Sequence, residues 1–248
     1  MIHMPPTDRS SVSSARQRYD TALLQWRAFR GTKAYDFLAA LPVIAWFGLS
    51  IGNMIAGLRT TIDQADNAAL DFRAAMAIVP HLSAIAFLML AMILLAIRRM
   101  PKAKAKGLLP RVSAFAGTFL MGLIVWVEPR EPGPYLCFVS LALTLGGTFF
   151  SIYALGYLGR SFSLNAEARS LVTGGPYASV RHPLYLGEEV SLFGIALLYF
   201  SPMAFLIFTA QLGFQLLRMN NEEEILGASF PEYAAYRERT SRLVPGIY

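Results

Sequence analysis

Five stretches of the chain contain no Asp, Glu, Lys or Arg and are rich in large apolar side chains. They lie within residues 37–58, 74–97, 112–127, 135–158 and 190–217. A helix needs about 20 mainly apolar residues to cross roughly 30 Å of hydrocarbon. With 55% hydrophobic and 15% charged residues, the chain also departs from soluble domains in the direction of lipid-embedded proteins. The sequence therefore predicts an all-α, polytopic integral membrane protein.

The last of these stretches is too long for one span. Its 28 residues would measure about 42 Å as a straight helix. Pro202 lies near its middle, and a proline removes one backbone donor and clashes with the preceding turn. We therefore expect a break there, which gives about six transmembrane segments, the last two forming a C-terminal helical hairpin.

The basic residues predict the orientation of these segments. Of the 22 Lys and Arg residues, 19 fall within residues 1–36, 98–111, 160–181 and 218–248. Short loops rich in Lys and Arg stay cytoplasmic, so both termini and these two loops are predicted to face the cytoplasm. The net charge of +6 is then explained by membrane insertion, and no nucleic-acid partner is expected.

A first cluster of polar and turn-forming residues precedes the final hairpin. Residues 171–177 read Leu-Val-Thr-Gly-Gly-Pro-Tyr, and residues 181–187 read Arg-His-Pro-Leu-Tyr-Leu-Gly. They could simply form a turn, a helix start and interfacial anchors. Alternatively, Arg181 and His182 present donors at the start of a helix, where the macrodipole favours an anion such as a carboxylate.

A second cluster follows the hairpin. Arg218 and Glu222 are spaced i, i+4, so they share one helix face, and residues 222–224 are all Glu. A surface ion pair and a solvated acidic face would explain them. However, an anionic cytoplasmic leaflet attracts cations, so these acids need a cationic partner or ligand.

The predicted hairpin brings both clusters to the cytoplasmic face. A pocket between them would combine a carboxylate, an Arg/His pair and several tyrosines. This combination suits a zwitterionic ligand with an aromatic part, such as S-adenosylmethionine.

Residues 171–236 carry four motifs in order: Leu-Val-Thr-x-Gly-Pro-Tyr, Arg-His-Pro-x-Tyr-x-Gly, Arg-x-x-x-Glu-Glu-x-x-Leu and Phe-x-x-Tyr-x-x-Tyr. Here the chain resembles the isoprenylcysteine carboxyl methyltransferase family and its relatives among the phospholipid methyltransferases. The resemblance implies an all-α membrane enzyme that uses S-adenosylmethionine without a Rossmann sheet. Its acceptor would be hydrophobic or amphipathic: an isoprenylcysteine-like carboxylate, a lipid or a small thiol.

The same resemblance implies which residues form the site. Arg218 would face the acceptor, and Arg181 is expected to help His182 hold the carboxylate of the methyl donor. The cofactor pocket would be lined by Leu171, Val172, Tyr177, His182, Pro183, Leu184, Tyr185 and Glu222. Arg169 stands where eukaryotic members have a histidine, and Glu188 and Glu189 are additional acids within a span, which default to a functional hypothesis.

The sequence thus predicts three regions: a cytoplasmic arm (1–36), a transmembrane scaffold (37–158) and a cofactor-binding and catalytic region (159–248). The arm is expected to contain an interfacial helix over residues 19–35. His3, His81 and His182 lie far apart in sequence, so no metal site is expected. Two alternatives stay open: an NADPH-dependent membrane reductase resembling the sterol reductases, and a non-enzymatic membrane carrier.

Overall fold

The computed structural model describes residues 9–64, 72–130 and 132–246. Within them the chain is almost entirely helical, which confirms the all-α prediction. The helices are α1 Arg9–Arg30, α2 Lys33–Gln64, α3 Phe72–Ile97, α4 Leu109–Phe119, α5 Pro134–Leu158, α6 Pro183–Tyr199, α7 Pro202–Ser229 and α8 Tyr233–Arg239. One short 3-10 segment follows α4, another follows α5, and a third, Gly175–Ala178, precedes α6. The strand β1 (Ala103–Lys104) pairs antiparallel with β2 (Glu167–Ala168).

Four helical segments of the described chain are long and apolar enough to cross a membrane. They are Lys33–Asp63, Ile78–Ile97, Leu109–Trp126 and Pro134–Ser161. They coincide with the first four stretches predicted from the sequence. The third combines α4 with the 3-10 segment Leu120–Trp126.

The hairpin at the end of the membrane region breaks where the sequence predicts. α6 ends at Tyr199, Phe200 adopts a left-handed conformation with φ of 42°, and α7 begins at Pro202. Because proline has no N–H, it fits the first turn of a helix. The Phe193 ring on α6 lies 5.5 Å from the Phe208 ring on α7, so the two helices fold back on each other. The break is confirmed, while the count of six complete spans stays a prediction.

Small residues bring α5 and α6 into close contact. A Cβ atom added to Gly147 would lie 2.4 Å from the backbone nitrogen of Ser191, and one added to Gly194 would lie 2.7 Å from the carbonyl oxygen of Ser140. The hydroxyl of Ser140 donates a 2.6 Å hydrogen bond to the carbonyl of Gly194. Such close approach is typical of packing between membrane helices. It fixes α6, whose first turn carries part of the candidate site.

The chain divides into a unit ending at Val43 and a unit from Ile44 onward. In the first unit, α1 already begins at Arg9, ten residues before the start predicted for the interfacial helix. Ala15, Arg16 and Gln17 are good helix formers and favour the longer helix. The predicted interfacial helix over residues 19–35 also ends earlier, at Arg30, and α2 starts at Lys33. Everything described below belongs to the second unit.

Candidate functional site: a polar pocket beside an apolar cavity

The two polar clusters meet at one end of the α6–α7 hairpin. His182 lies directly before Pro183, the first residue of α6. Its Nε2 atom is 3.1 Å from Oε1 of Glu223, which belongs to the part of α7 beyond the apolar stretch. The predicted fold-back at Pro202 is what makes this contact possible.

A cavity opens between these clusters and contains about 710 Å³ of empty space, its mouth included. Eight of the nine residues predicted for the cofactor line it: Leu171, Val172, Tyr177, Arg181, His182, Leu184, Tyr185 and Glu222. The ninth, Pro183, is buried at the start of α6 and does not line the cavity.

Glu223 is the centre of an ion-pair cluster on one side of this cavity. Its Oε1 atom lies 3.0 Å from Nε of Arg181, 3.1 Å from Nε2 of His182 and 3.2 Å from Nε of Arg242. Burial opposes ionisation of Glu223, but the hydrogen bonds from His182 and Arg181 outweigh it and lower its pKa to about 2. The cationic partner that the sequence required for the acidic run is therefore present within the chain.

Arg218 and Glu222 form the predicted pair on one helix face. Nε of Arg218 lies 3.3 Å from Oε1 of Glu222, and the guanidinium lies 4.7 Å from the centre of the Tyr185 ring. The hydroxyl of Tyr185 donates a hydrogen bond to the same Glu222 oxygen. The terminal nitrogens of Arg218 donate to Oγ1 of Thr118 and to the carbonyl of Ser163, both at 3.3 Å. These contacts hold the guanidinium in one place although it is almost completely buried.

Arg218 does not line the polar pocket but a second cavity next to it, with about 940 Å³ of empty space measured in the same way. Helices α2 to α7 contribute to this apolar cavity, mostly with side chains such as Phe87 and Leu192. Among the described residues, Glu188 and Arg218 are its charged lining residues, and Phe162 lines both cavities. Arg218 contacts Tyr185 and Glu222, which line the polar pocket, so Arg218 and Phe162 together form the wall between the two cavities.

Two tyrosine hydroxyls at the polar pocket are buried without a partner among the described residues, those of Tyr177 and Tyr233. Burial raises the pKa of both hydroxyls, so they stay protonated donors. Tyr236 is different, because its hydroxyl donates a 2.7 Å hydrogen bond to the carbonyl of Tyr177. An unpaired buried hydroxyl costs free energy, and a ligand atom that accepts its hydrogen bond would remove that cost.

The C-terminal segment after α8 is hydrogen-bonded to the loop before α6, a pairing that the sequence does not predict. The backbone nitrogens of Arg181 and His182 donate to the carbonyls of Ser241 and Arg242 at 2.9 and 3.1 Å. A parallel bridge between Val180 and Ser241 continues this pairing. No periodicity or motif marks residues 240–243, so only the three-dimensional structure shows that they position His182.

The additional acids of α6 each receive a hydrogen bond from a glutamine of α7. Nε2 of Gln215 lies 3.0 Å from Oε2 of Glu188, and Nε2 of Gln211 lies 3.0 Å from Oε1 of Glu189. Gln211 also donates to the carbonyl of Gly117 at 2.9 Å. Of these two acids, Glu188 lines the apolar cavity, and Glu189 lines neither of the two cavities described here.

Arg169, at the position of the family's histidine, lies outside both cavities. It is buried and pairs with Glu167, and it donates to the carbonyl of Arg99. It therefore stabilises the small β ladder instead of contacting the pocket. Across the described ranges, no group of three or more His, Cys, Asp or Glu side chains could hold a metal ion.

The fold and site define a helical membrane protein with a polar pocket and an apolar cavity on either side of a buried arginine. The phospholipid methyltransferase family model matches residues 135–232, from α5 to the residue before α8. This match confirms the predicted family resemblance for that part of the chain.

Two curated relatives are similar over part of the chain. The cobalt-zinc-cadmium resistance protein CzcN of Cupriavidus metallidurans is 30% identical over 136 residues, which is 52% of this chain and 60% of the relative. The nickel-cobalt-cadmium resistance protein NccN of Alcaligenes xylosoxydans xylosoxydans is 30% identical over 109 residues, 42% of this chain and 50% of the relative. The chain thus spans only half to three-fifths of the length of these relatives.

Proposed function

We propose that the protein is an integral membrane methyltransferase that moves a methyl group from S-adenosylmethionine to a hydrophobic or amphipathic acceptor. The observation that carries this proposal is the buried Arg218 between a polar pocket and an apolar cavity. It would place a water-soluble donor and a membrane-soluble acceptor side by side. The family match over residues 135–232 supports the same class of reaction.

The chemistry of the polar pocket fits the methyl donor. Glu222 would bind the donor's ammonium group or a ribose hydroxyl, and His182 with Arg181 would bind its carboxylate. The Tyr177 and Tyr185 rings would pack against the nucleoside, beside the apolar wall formed by Leu171, Val172 and Leu184. The unpartnered hydroxyls of Tyr177 and Tyr233 supply donors for the oxygen and nitrogen atoms of such a ligand. When bound, its sulfonium supplies an activated methyl group.

The apolar cavity would take the acceptor. Its walls come from segments predicted to lie in the bilayer, so the acceptor would enter sideways from lipid. Arg218 would orient the polar end of the acceptor at the wall between the cavities. Holding two reactants in a productive geometry can lower a barrier by about 7–11 kcal/mol, so the protein's main contribution would be positioning. We place the pocket at the cytoplasmic face, as the distribution of basic residues predicts.

Thermal stabilisation of the purified protein in detergent tests this function against the two alternatives. A methyltransferase is stabilised by S-adenosylhomocysteine, and a ligand at 100 times its Kd contributes about 2.7 kcal/mol. NADPH should have no effect. Selective stabilisation by NADPH would favour the reductase, and no response to either compound would favour a carrier.

Replacement of Glu222 by Ala supplies the matched mutational test. Glu222 lines the polar pocket, whereas Glu224, two residues along the same helix, is exposed. We expect E222A to lose S-adenosylhomocysteine binding while E224A keeps it, with both variants inserted in the membrane. Equal binding by E222A and the wild type would contradict the assignment of the pocket.

A further inference from the structure

The second cavity contains a carboxylate that methyl-donor binding does not explain. Glu188 lines the apolar cavity, and Gln215 satisfies one of its oxygens, Oε2. Among the described residues, its other oxygen, Oε1, accepts no hydrogen bond. A carboxylate in membrane surroundings is costly and points to a function.

Arg218 faces the same cavity and attracts this carboxylate electrostatically, but among the described residues no ion pair joins the two. Its ion pair is with Glu222, on the side of the polar pocket. The apolar cavity therefore presents one acid and one guanidinium to whatever enters it, close enough to attract each other but each able to contact a ligand. The buried hydroxyl of Ser151, which also lines the cavity, has no hydrogen-bond partner in the described part of the chain.

We propose that Glu188 is the general base of the reaction and that the acceptor is an apolar molecule ending in a neutral S–H or O–H group. This inference rests on the proposed methyltransferase function and narrows its acceptor class. A sulfur or oxygen that loses its proton develops negative charge, which the guanidinium of Arg218 would stabilise. A proton acceptor beside an anion stabiliser is the pair of groups that this chemistry requires.

In the proposed step, a lone pair of the acceptor's sulfur or oxygen forms a bond to the methyl carbon. The bond between that carbon and the donor's sulfur breaks, and its electron pair stays on the sulfur. The acceptor's proton moves to Oε1 of Glu188 and is later released to solvent. The products are a thioether or ether, S-adenosylhomocysteine and one proton.

The two charged headgroups fit this cavity less well. A carboxylate is already ionised at neutral pH and has no proton for Glu188 to remove, and its charge would face the Glu188 carboxylate. A protonated amine would face the guanidinium of Arg218. Each charged headgroup could pair with one of these two groups, but it would bring a like charge against the other. Like charges brought together in a binding site cost several kcal/mol, so both are disfavoured relative to a neutral group.

Two acceptor probes of matched chain length test the class, a long-chain alkyl thiol and the corresponding fatty acid. With labelled S-adenosylmethionine, we expect the wild-type protein to methylate the thiol and not the fatty acid. Methylation of the fatty acid alone overturns the inference. Failure to methylate both the thiol and the alcohol of the same chain length, by a protein that binds S-adenosylhomocysteine, also overturns it.

E188Q and E189Q form a matched pair, because both remove one carboxylate from adjacent positions and each Gln keeps an acceptor oxygen for its α7 partner. We expect E188Q to lower the rate of thiol methylation about 10²–10⁴-fold, the usual contribution of a general base. The affinity of E188Q for S-adenosylhomocysteine should stay at the wild-type value. E189Q should keep both the wild-type methylation rate and the wild-type affinity. A wild-type rate in E188Q overturns the role of Glu188.

The pH profile separates a base from a structural acid. The other charged or titratable groups facing Glu188 are Tyr177 from the preceding loop, Tyr185 and Glu189 on α6, and Arg218 and Glu222 on α7. The cavity-lining residues from α2 to α5 carry no titratable side chain. In the wild type and in E189Q, we expect the methylation rate to rise with pH as the base becomes available to accept a proton. In E188Q this rise should be absent. An unchanged profile in E188Q contradicts the proposal.

Binding of the fatty acid provides a readout that needs no turnover. With S-adenosylhomocysteine present, removing the Glu188 charge should tighten fatty-acid binding at least tenfold in E188Q and leave it unchanged in E189Q. Equal binding by E188Q and the wild type overturns the inference. If the wild type binds no S-adenosylhomocysteine at all, the proposed function itself fails, and that result is distinct from any outcome with these variants.

Discussion

Replacing Gly147 by Ala should separate α5 from α6. The added Cβ would lie 2.4 Å from the backbone nitrogen of Ser191, 2.6 Å from the carbonyl oxygen of Gly187 and 2.9 Å from Cα of Ser191. All three atoms belong to the backbone, so no side chain can rotate away, and the helices must move apart by about 1 Å to restore ordinary contact. Overpacking of this kind typically costs about 1–3 kcal/mol.

The matched control is Gly146→Ala on the same turn of α5, where a Cβ meets open space. Ala is favoured over Gly inside a helix by up to about 1 kcal/mol, so this variant should be as stable as the wild type or slightly more so. For chains of this size, the melting temperature changes by about 2–4 °C for each kcal/mol of stability. The melting temperature of G147A should therefore be roughly 2–12 °C below that of the wild type.

The assay is thermal unfolding in detergent, with and without S-adenosylhomocysteine. Because α6 begins immediately after His182, G147A should also weaken binding of this ligand, whereas G146A should not. If G147A melts at the wild-type temperature, α5 and α6 do not pack as closely as described. Equal loss in both variants would show that helix propensity, and not the contact, determines the effect.

Three further predictions concern the site. R218A should lower the rate of methyl transfer by about 10²–10³-fold, the usual cost of losing one group that stabilises developing charge. R218K should recover part of the lost rate. Single-turnover assays measure both rates, and a wild-type rate in R218A would contradict this role of Arg218. The pKa of Glu223 is lowered to about 2 from an ordinary value near 4.5, so its ionisation stabilises the fold above about pH 4.5, and this contribution is lost as the pH falls toward 2. The melting temperatures of the wild type and E223Q should therefore differ at pH 6 and converge at low pH. A difference that stays constant with pH would refute the ion-pair cluster. Y233F removes a buried hydroxyl without a partner among the described residues, so the ligand-free protein should be at least as stable as before. The same variant should weaken S-adenosylhomocysteine binding by about tenfold, roughly one hydrogen bond; calorimetry that finds equal affinities would exclude Tyr233 from ligand contact.

The parts of this fold that follow from local chemistry could be predicted from the sequence. Pro202 must interrupt a helix that is too long for the bilayer, and α6 and α7 do separate there. Arg218 and Glu222 are one helical turn apart, and their side chains do meet. Such features depend only on residues near each other in the chain.

The parts that depend on long-range packing could not. Neighbouring acids Glu222 and Glu223 look equivalent in sequence, yet Glu223 binds Arg181 and His182 while Glu222 binds Arg218 and Tyr185. The choice is set by the neighbours that the fold places beside each carboxylate, and the local sequence does not specify them. The pairing of Ser241 with that loop likewise joins segments sixty residues apart.

The wall formed by Phe162 and Arg218 has a consequence for turnover in the proposed reaction. In that reaction each compartment would have its own way out, one to water and one to lipid, so the two products would not need to pass each other. A methylated product would dissolve directly in the bilayer, while the spent donor would return to the aqueous phase. Release of one product would then be sensitive to membrane composition, and release of the other to the soluble pool of nucleosides.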